Sequence, residues 1–268
     1  MYNGLMRKIL AIAKINLAQY LVYRLSFVLW RVRVILSLFL TFFLWSAVYQ
    51  SRLSIFNYSH RQIMTYILLI YVIGDLVYSS RVSDLSIQIR NGAIINQLLK
   101  PFPFLHNLFT REVTDKLLNL FFSIFEVGLV ILLFKPALFI QTDILTILLM
   151  LLAIGMGIVI SFFISFAISL VAFWSAEVWG PRFVFMTLIT VLSGSYFPLD
   201  ILPTLFYRLL LLTPFPYFTY LPTKIFLDGF SFQYLGMVGI SLVWVVLSYF
   251  FARALWRKGI REFSFFGR

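Results

Sequence analysis

Two carboxylates stand where a carboxylate is expensive. Asp75 falls late in the apolar run 63–79 and Glu126 near the middle of the run 117–134. An ionisable side chain at bilayer depth faces a bundle interior and has either a partner or a function. Both readings are open from the residues: a proton or cation site along a substrate path, or a paired or protonated carboxyl making an interhelical hydrogen bond. Metal chemistry has little to work with. The chain has no cysteine, and His60 and His106 are too far apart for a zinc motif. No GxxxxGK[ST] phosphate cradle, no strand-linked GxGxxG, no GxSxG and no HExxH occurs. No aqueous region is long enough to fold a nucleotide-binding domain. The chain therefore hydrolyses no ATP by itself, and no cofactor, metal or catalytic residue of its own is expected.

The elements that hold those acids are apolar. Of 268 residues, 62% are hydrophobic and 12% charged, against about 45–50% and about 25% in soluble domains. The net charge of +12 does not indicate nucleic acid, because the basic residues flank apolar runs rather than lie beside an aqueous fold. Runs at 34–49, 63–79, 117–134, 144–173, 183–197 and 234–255 predict an all-α membrane protein of six transmembrane helices. With both termini cytoplasmic, 17 of the 22 lysines and arginines fall on the cytoplasmic side, as the positive-inside rule requires. Residues 1–26 form a cytoplasmic or interfacial segment. Its basic, then apolar start resembles a signal peptide but lacks a small-residue cleavage pattern, so it is taken as retained. Leu5 to Tyr23 reads as an amphipathic helix suited to a membrane surface, although Arg7, Lys8, Lys14, Arg24, Arg31 and Arg33 equally serve to set topology. Within the long fourth run, Gly155 and Gly157, then Ser161, Ser165 and Ser169, form small-residue stripes for helix packing.

Two polar or broken stretches interrupt the runs. Loop 80–116 contains Gly92 at a turn, then a short helix from Ala93 to Leu99 halted by Pro101. Ile94, Ile95, Leu98 and Leu99 give that helix an apolar side, fit for a partner or for the lipid interface. Segment 198–233 carries Pro198, Pro203, Pro214, Pro216 and Pro222 between apolar pieces too short to cross. Prolines remove backbone donors and end helices, so this extracytoplasmic segment is expected to enter and leave the outer leaflet as broken, re-entrant half-helices lining a pathway mouth.

Three local patterns, in order, resemble the ABC-2 type permeases of bacterial exporters. The first is Ile89, Arg90 and Gly92 followed by Leu98, Leu99, Lys100 and Pro101. The second is Ser193, Gly194, Phe197, Pro198, Leu199, Leu202 and Pro203, then Pro214, Phe215, Pro222 and Gly229. The third is Trp256, Gly259, Phe263 and Gly267, where the family often has Tyr at the position of Phe263. The resemblance covers the whole chain, 1–268, as one transmembrane domain. It implies a subunit of the bacterial plasma membrane that pairs with a second permease, identical or different, and with two ATP-binding cassette subunits. ATP and Mg²⁺ would be bound by those subunits. Coupling to them would fall on Asp84, Arg90, Gly92, Leu98, Leu99, Lys100 and Pro101, assisted by the N-terminal helix. The translocation path and outer gate would fall on Ser193, Gly194, Phe197, Pro198, Pro203, Pro214 and Pro222. The rival reading from the residues alone is an ATP-independent secondary transporter or channel using Glu126 and Asp75, although no inverted repeat joins the two halves. An intramembrane enzyme or scaffold would need a paired catalytic constellation, and none is present.

Overall fold

The computed structural model describes residues 2–50, 54–82, 84–99, 104–175 and 177–263. Helix α1 (Tyr2–Val22) is separated by Tyr23 alone from α2 (Arg24–Val48). A small hairpin follows, β1 (Ser54–Ile55) pairing antiparallel with β2 (Tyr58–Ser59). Its two turn residues, Phe56 and Asn57, both have positive φ (52° and 64°), the twist that a two-residue hairpin loop requires. Next come α3 (His60–Tyr78), the short α4 (Asp84–Arg90) and α5 (Ile94–Leu98), then the long α6 (Phe104–Phe134) and α7 (Ile144–Leu170). A 3-10 turn, Val171–Phe173, ends α7. Helix α8 (Trp179–Leu192) leads into a broken stretch holding α9 (Thr204–Leu211) and α10 (Tyr220–Asp228), and α11 (Phe232–Glu262) comes last.

Among the described residues, five helices are long and apolar enough to cross a membrane: Arg24–Val48, His60–Tyr78, Asn107–Phe134, Ile144–Phe173 and Phe232–Glu262. The fifth predicted run, 183–197, yields α8, apolar but only 14 residues long. At 1.5 Å per residue that is about 21 Å, short of a hydrocarbon core of about 30 Å. Gly194, with φ at 81°, turns the chain just beyond its end. Two other boundaries move. The first long helix begins ten residues earlier than the apolar run, because Arg24, Arg31 and Arg33 are good helix formers although they add no hydropathy. The second half of loop 80–116 is the first part of α6, where Glu112, Asp115 and Lys116 are buried on one helical face.

Local chemistry fixes several helix starts. Ser59 caps α3 in a reciprocal box: its Oγ accepts from Gln62 N at 3.3 Å and its N–H donates to Gln62 Oε1 at 2.9 Å. Asp143 caps α7 by accepting from Thr146 N at 3.0 Å, and Ser231 caps α11. Helix α7 is the axis of the bundle, with α11, α10, α3 and α4 against it. Halfway along it, a Cβ at Gly157 would lie 2.8 Å from Tyr217 O, so the broken stretch reaches the middle of α7 and touches it backbone to backbone. Ser161 and Ser169 also face inward, Ser169 Oγ donating to Val82 O at 3.1 Å. Gly157, Ser161 and Ser169 thus form a packing surface, whereas Gly155 faces outward with open space around it. The bundle has a near end, formed by α4, α5 and the C-terminal part of α11, and a far end, formed by the hairpin and α9.

Candidate functional site

Both intramembrane acids converge on one cation. Arg31 Nη1 donates to Asp75 Oδ2 at 2.7 Å, Nε donates to Glu126 Oε1 at 2.8 Å, and Nη2 binds the other Glu126 oxygen. Tyr71 OH donates to Glu126 as well, and Asn119 Oδ1 accepts from Arg31 at 3.4 Å. The guanidinium also faces the rings of Trp30 and Phe122. Arg31, Asp75 and Glu126 side chains are each less than a tenth exposed. A buried ion leaves water at a cost of several kcal/mol unless its partner and hydrogen bonds are well placed, and here the fork geometry of arginine joins α2 to α3 and α6. Arg31 counts only toward topology in the sequence. The readable signal was its register: Arg31, Leu38, Phe42 and Trp45 are the buried residues of α2, at helical spacing.

A second charged layer lies toward the near end. Arg81 Nε donates to Asp115 Oδ1 at 3.0 Å, and its guanidinium covers the Tyr20 ring. Asp84 accepts from Arg111 at 3.4 Å and lies 3.9 Å from Arg81. Lys116 pairs with Glu112 at 3.3 Å and also donates to three carbonyls at the end of α3: Leu76 O at 2.8 Å, Val77 O at 3.1 Å and Ser79 O at 2.7 Å. A lysine on the last carbonyls of a helix satisfies acceptors that have no partner within it. Helix α1 packs on the start of α6, with buried Asn16 donating to Arg111 O at 3.2 Å, so its inner face meets protein as well as any membrane surface.

Between α1 and α2 on one side and α3 and α8 on the other lies a cavity of about 860 Å³. Asp75, Arg81, Asp84, Asp115, Arg33 and Arg182 face it, together with aromatic rings and hydroxyls. Tyr196 and Ser195 lie at its far end.

The residues expected to form the outer gate are brought together, but behind this cavity. None of Ser193, Gly194, Phe197, Pro198, Pro203, Pro214 and Pro222 lines it. Ser193, Gly194, Pro198 and Pro222 are buried in a knot of hydroxyls and carbonyls, and Pro203 is exposed. Tyr78 OH donates to Ser193 Oγ at 2.6 Å and lies 3.1 Å from Thr219 Oγ1, which donates to Ser193 O at 2.8 Å. Tyr66 OH donates to Gly194 O at 2.7 Å, and Trp45 Nε1 to Tyr196 O at 2.9 Å. At Gly194 a Cβ would sit 2.7 Å from the Tyr66 hydroxyl, so the left-handed turn and the close approach both demand glycine. Further out, Lys224 bridges Asp200 at 3.0 Å and Asp228 at 2.9 Å and donates to Tyr58 OH at 2.8 Å. These tyrosine and tryptophan donors had no sequence signal, since aromatic residues are common throughout the spans.

At the near end, α4 and α5 turn one side inward. Leu85, Ile89 and Ile94 are buried against Phe166 and Leu170 of α7 and Ala252 of α11. Gly92 joins the two helices at φ 72°. Ile87, Leu98 and Leu99 face outward and are exposed, as is Arg90. Asp84 sits at the inner edge in its ion pairs, while Lys100 and Pro101 lie outside the described residues. The tail motif packs beside this platform: Trp256 stacks on Phe104 at 5.0 Å, and Gly259 lies directly under the Phe173 ring, which also meets Phe263 at 5.6 Å. Gly267 lies outside the described residues.

A multi-pass helical membrane protein, with a polar cavity among its spans and an apolar platform of short helices at one end, has the layout of a transport subunit. The family profile described as ABC-2 family transporter protein matches residues 35–267, and the chain belongs to that family. Membership implies association with an ATP-binding cassette ATPase. None of the curated proteins compared with the chain matches it.

Proposed function

We propose that this chain is the permease subunit of an ATP-driven exporter in which a separate cassette subunit hydrolyses ATP and pushes on α4 and α5. The observation that carries this reading is the two-sided build of those helices: one side locked onto α7 and α11, the other presenting Ile87, Leu98 and Leu99 outward. Apolar anchors on a short helix are what a groove in a partner recognises. Force applied there reaches α7 through the buried residues, and reaches α3 and α6 through the Asp84, Arg81 and Asp115 chain of ion pairs that borders the cavity. The cavity is then the translocation path, its walls α2, α3 and α8.

The same layout supports the rest of the assembly. Helix α8 with the chain beyond it makes the fifth crossing, so that six crossings leave both termini on the basic, cytoplasmic side of a bacterial plasma membrane. The stretch between α8 and α11 dips in as half-helices, supported by the contact of Tyr217 with Gly157 midway along α7. A second permease, identical or different, and two cassette subunits complete the transporter. Asp75 and Glu126, both held by Arg31, serve to tie the helices together rather than to carry protons.

Co-purification with the cognate cassette ATPase tests the proposal. Ile87→Asp and Leu99→Asp should leave the permease folded, abolish retention of the ATPase, and remove any change in its ATP turnover. Full retention in both variants would overturn the docking role.

A further inference from the structure

We propose that the cavity accepts an amphipathic anion, its acidic head held by Arg33 and Arg182 and its apolar part laid against the aromatic wall of α1 and α2; this inference rests on the cavity being the translocation path. Three carboxylates face the cavity, and each is already taken: Asp75 by Arg31, Asp84 by Arg111 and Arg81, and Asp115 by Arg81. Two of the three cavity-facing arginines, Arg33 and Arg182, have no carboxylate within 4.0 Å among the described residues. Arg31 is shared between Asp75 and Glu126, which leaves that buried triad one negative charge against the two positive charges of Arg33 and Arg182; the balance is positive, on guanidinium groups whose planar fork matches a carboxylate or phosphate.

The rest of the wall suits an apolar body with a few polar points. Tyr20, Tyr23, Phe27 and Trp30 line the side formed by α1 and α2, facing Phe183 and Met186 of α8. Ser37, Thr41, Thr187 and Thr190 supply hydroxyl oxygens; Thr41, Thr187 and Thr190 already donate to the carbonyls of Ser37, Phe183 and Met186, and so present acceptors. A volume of about 860 Å³ lies within the range of about 300–1,000 Å³ typical of small-molecule sites. Aromatic faces also attract cations, so the sign of the cargo is the point to test.

The full chain in phosphatidylcholine nanodiscs is titrated with decyl phosphate, decyltrimethylammonium and inorganic phosphate, with empty discs subtracted. Decyl phosphate is expected to bind saturably, the other two not. R33Q/R182Q should weaken decyl phosphate at least tenfold, and R33K/R182K should restore most of the loss. Equal binding of decyltrimethylammonium, or an R33Q/R182Q variant that binds decyl phosphate as the parent does, would overturn the inference. Discs containing phosphatidylglycerol separate two sources of the same chemistry: competition identifies a bilayer lipid, and its absence a soluble amphiphile, the anion site standing in both cases. An independent arm addresses the path. The chain has no native cysteine, so S37C and T187C can be bridged across the cavity in the complete transporter. Unchanged ATP turnover after bridging, with anion binding intact, sinks the path reading alone. Arrested turnover with anion binding insensitive to R33Q/R182Q sinks the cargo inference alone.

Discussion

The near half of the bundle is held by ions, and the broken stretch around Ser193 and Gly194 by neutral hydroxyls. Around Arg31, side chains from three continuous helices bond to one another: α2 to α3 and α6. Around Ser193 and Gly194, Tyr78 bonds to neutral hydroxyls, and Tyr66 and Trp45 bond to backbone, at Gly194 O and Tyr196 O. The difference arises in the backbone. In a regular helix each interior carbonyl already has its donor, so polar side chains between such helices must satisfy each other. Where glycine and proline break the chain, carbonyls are left without partners at depth, and phenol, hydroxyl and indole groups from neighbouring helices serve them.

The sharpest way to break this comparison is to remove Arg31. Arg31→Met would leave Asp75 and Glu126 buried without a counter-ion, at a cost of roughly 3–5 kcal/mol. Thermal unfolding of the detergent-solubilised chain should shift far downward, and adding Asp75→Asn with Glu126→Gln should recover much of the loss. A far-end ion cluster gives the middle case. Lys224 holds Asp200 and Asp228, whose side chains are 30% and 35% exposed, so Lys224→Met should cost about 2 kcal/mol, between the values for surface and buried pairs. Burial by itself would lower the Lys224 pKa, but the hydrogen bond and charge of Asp228, with those of Asp200, outweigh it and raise the ammonium above its ordinary value. A raised pKa means that the contribution is complete below the unfolded lysine value of about 10.4. The gap between parent and K224M should therefore hold through neutral pH and close only as pH climbs past that value. Equal costs for R31M and K224M would show that burial does not set the ranking. The smallest effect belongs to Tyr78→Phe, which removes one neutral hydroxyl from Ser193, Ser195 and Thr219. About 1 kcal/mol is expected in the same assay, and a loss near that of R31M would end the distinction between the two regions.

Much of this was legible along the chain, and the reasons differ by region. The apolar runs located the five long helices to within a few residues at one end or both, because length and composition alone decide what can cross a bilayer. The first started early and the third extended back to Phe104, since arginines and a buried charged face continue a helix without adding hydropathy. Asp75 and Glu126 stood out as single residues, but their shared partner lies 44 and 95 positions away from them, a pairing that only the packing of α2 on α3 and α6 creates. The prolines of 198–233 announced broken helices. They did not say that the breaks would fold back into a bonded knot with Ser195 and Tyr196, rather than Ser193 and Gly194, facing the cavity. In the near-end loop the turn at Gly92 and the apolar side of α5 were readable. The division of that side into a buried Ile94 and exposed Leu98 and Leu99 required the surface of α7 and α11.

The ammonium of Lys116, seated on three carbonyls at the end of α3, bears on how many ways the bundle can change shape. Helix α3 cannot slide along its own axis or turn about it without stripping that cation from its acceptors, so α3 and α6 behave as a single stiff plank. Helix α8, which walls the cavity, has Ile189 as its one buried residue and little to hold it in place. The freedom to widen or narrow the cavity accordingly belongs to α8 and to the Tyr23 joint between α1 and α2, while α3 and α6 move as one.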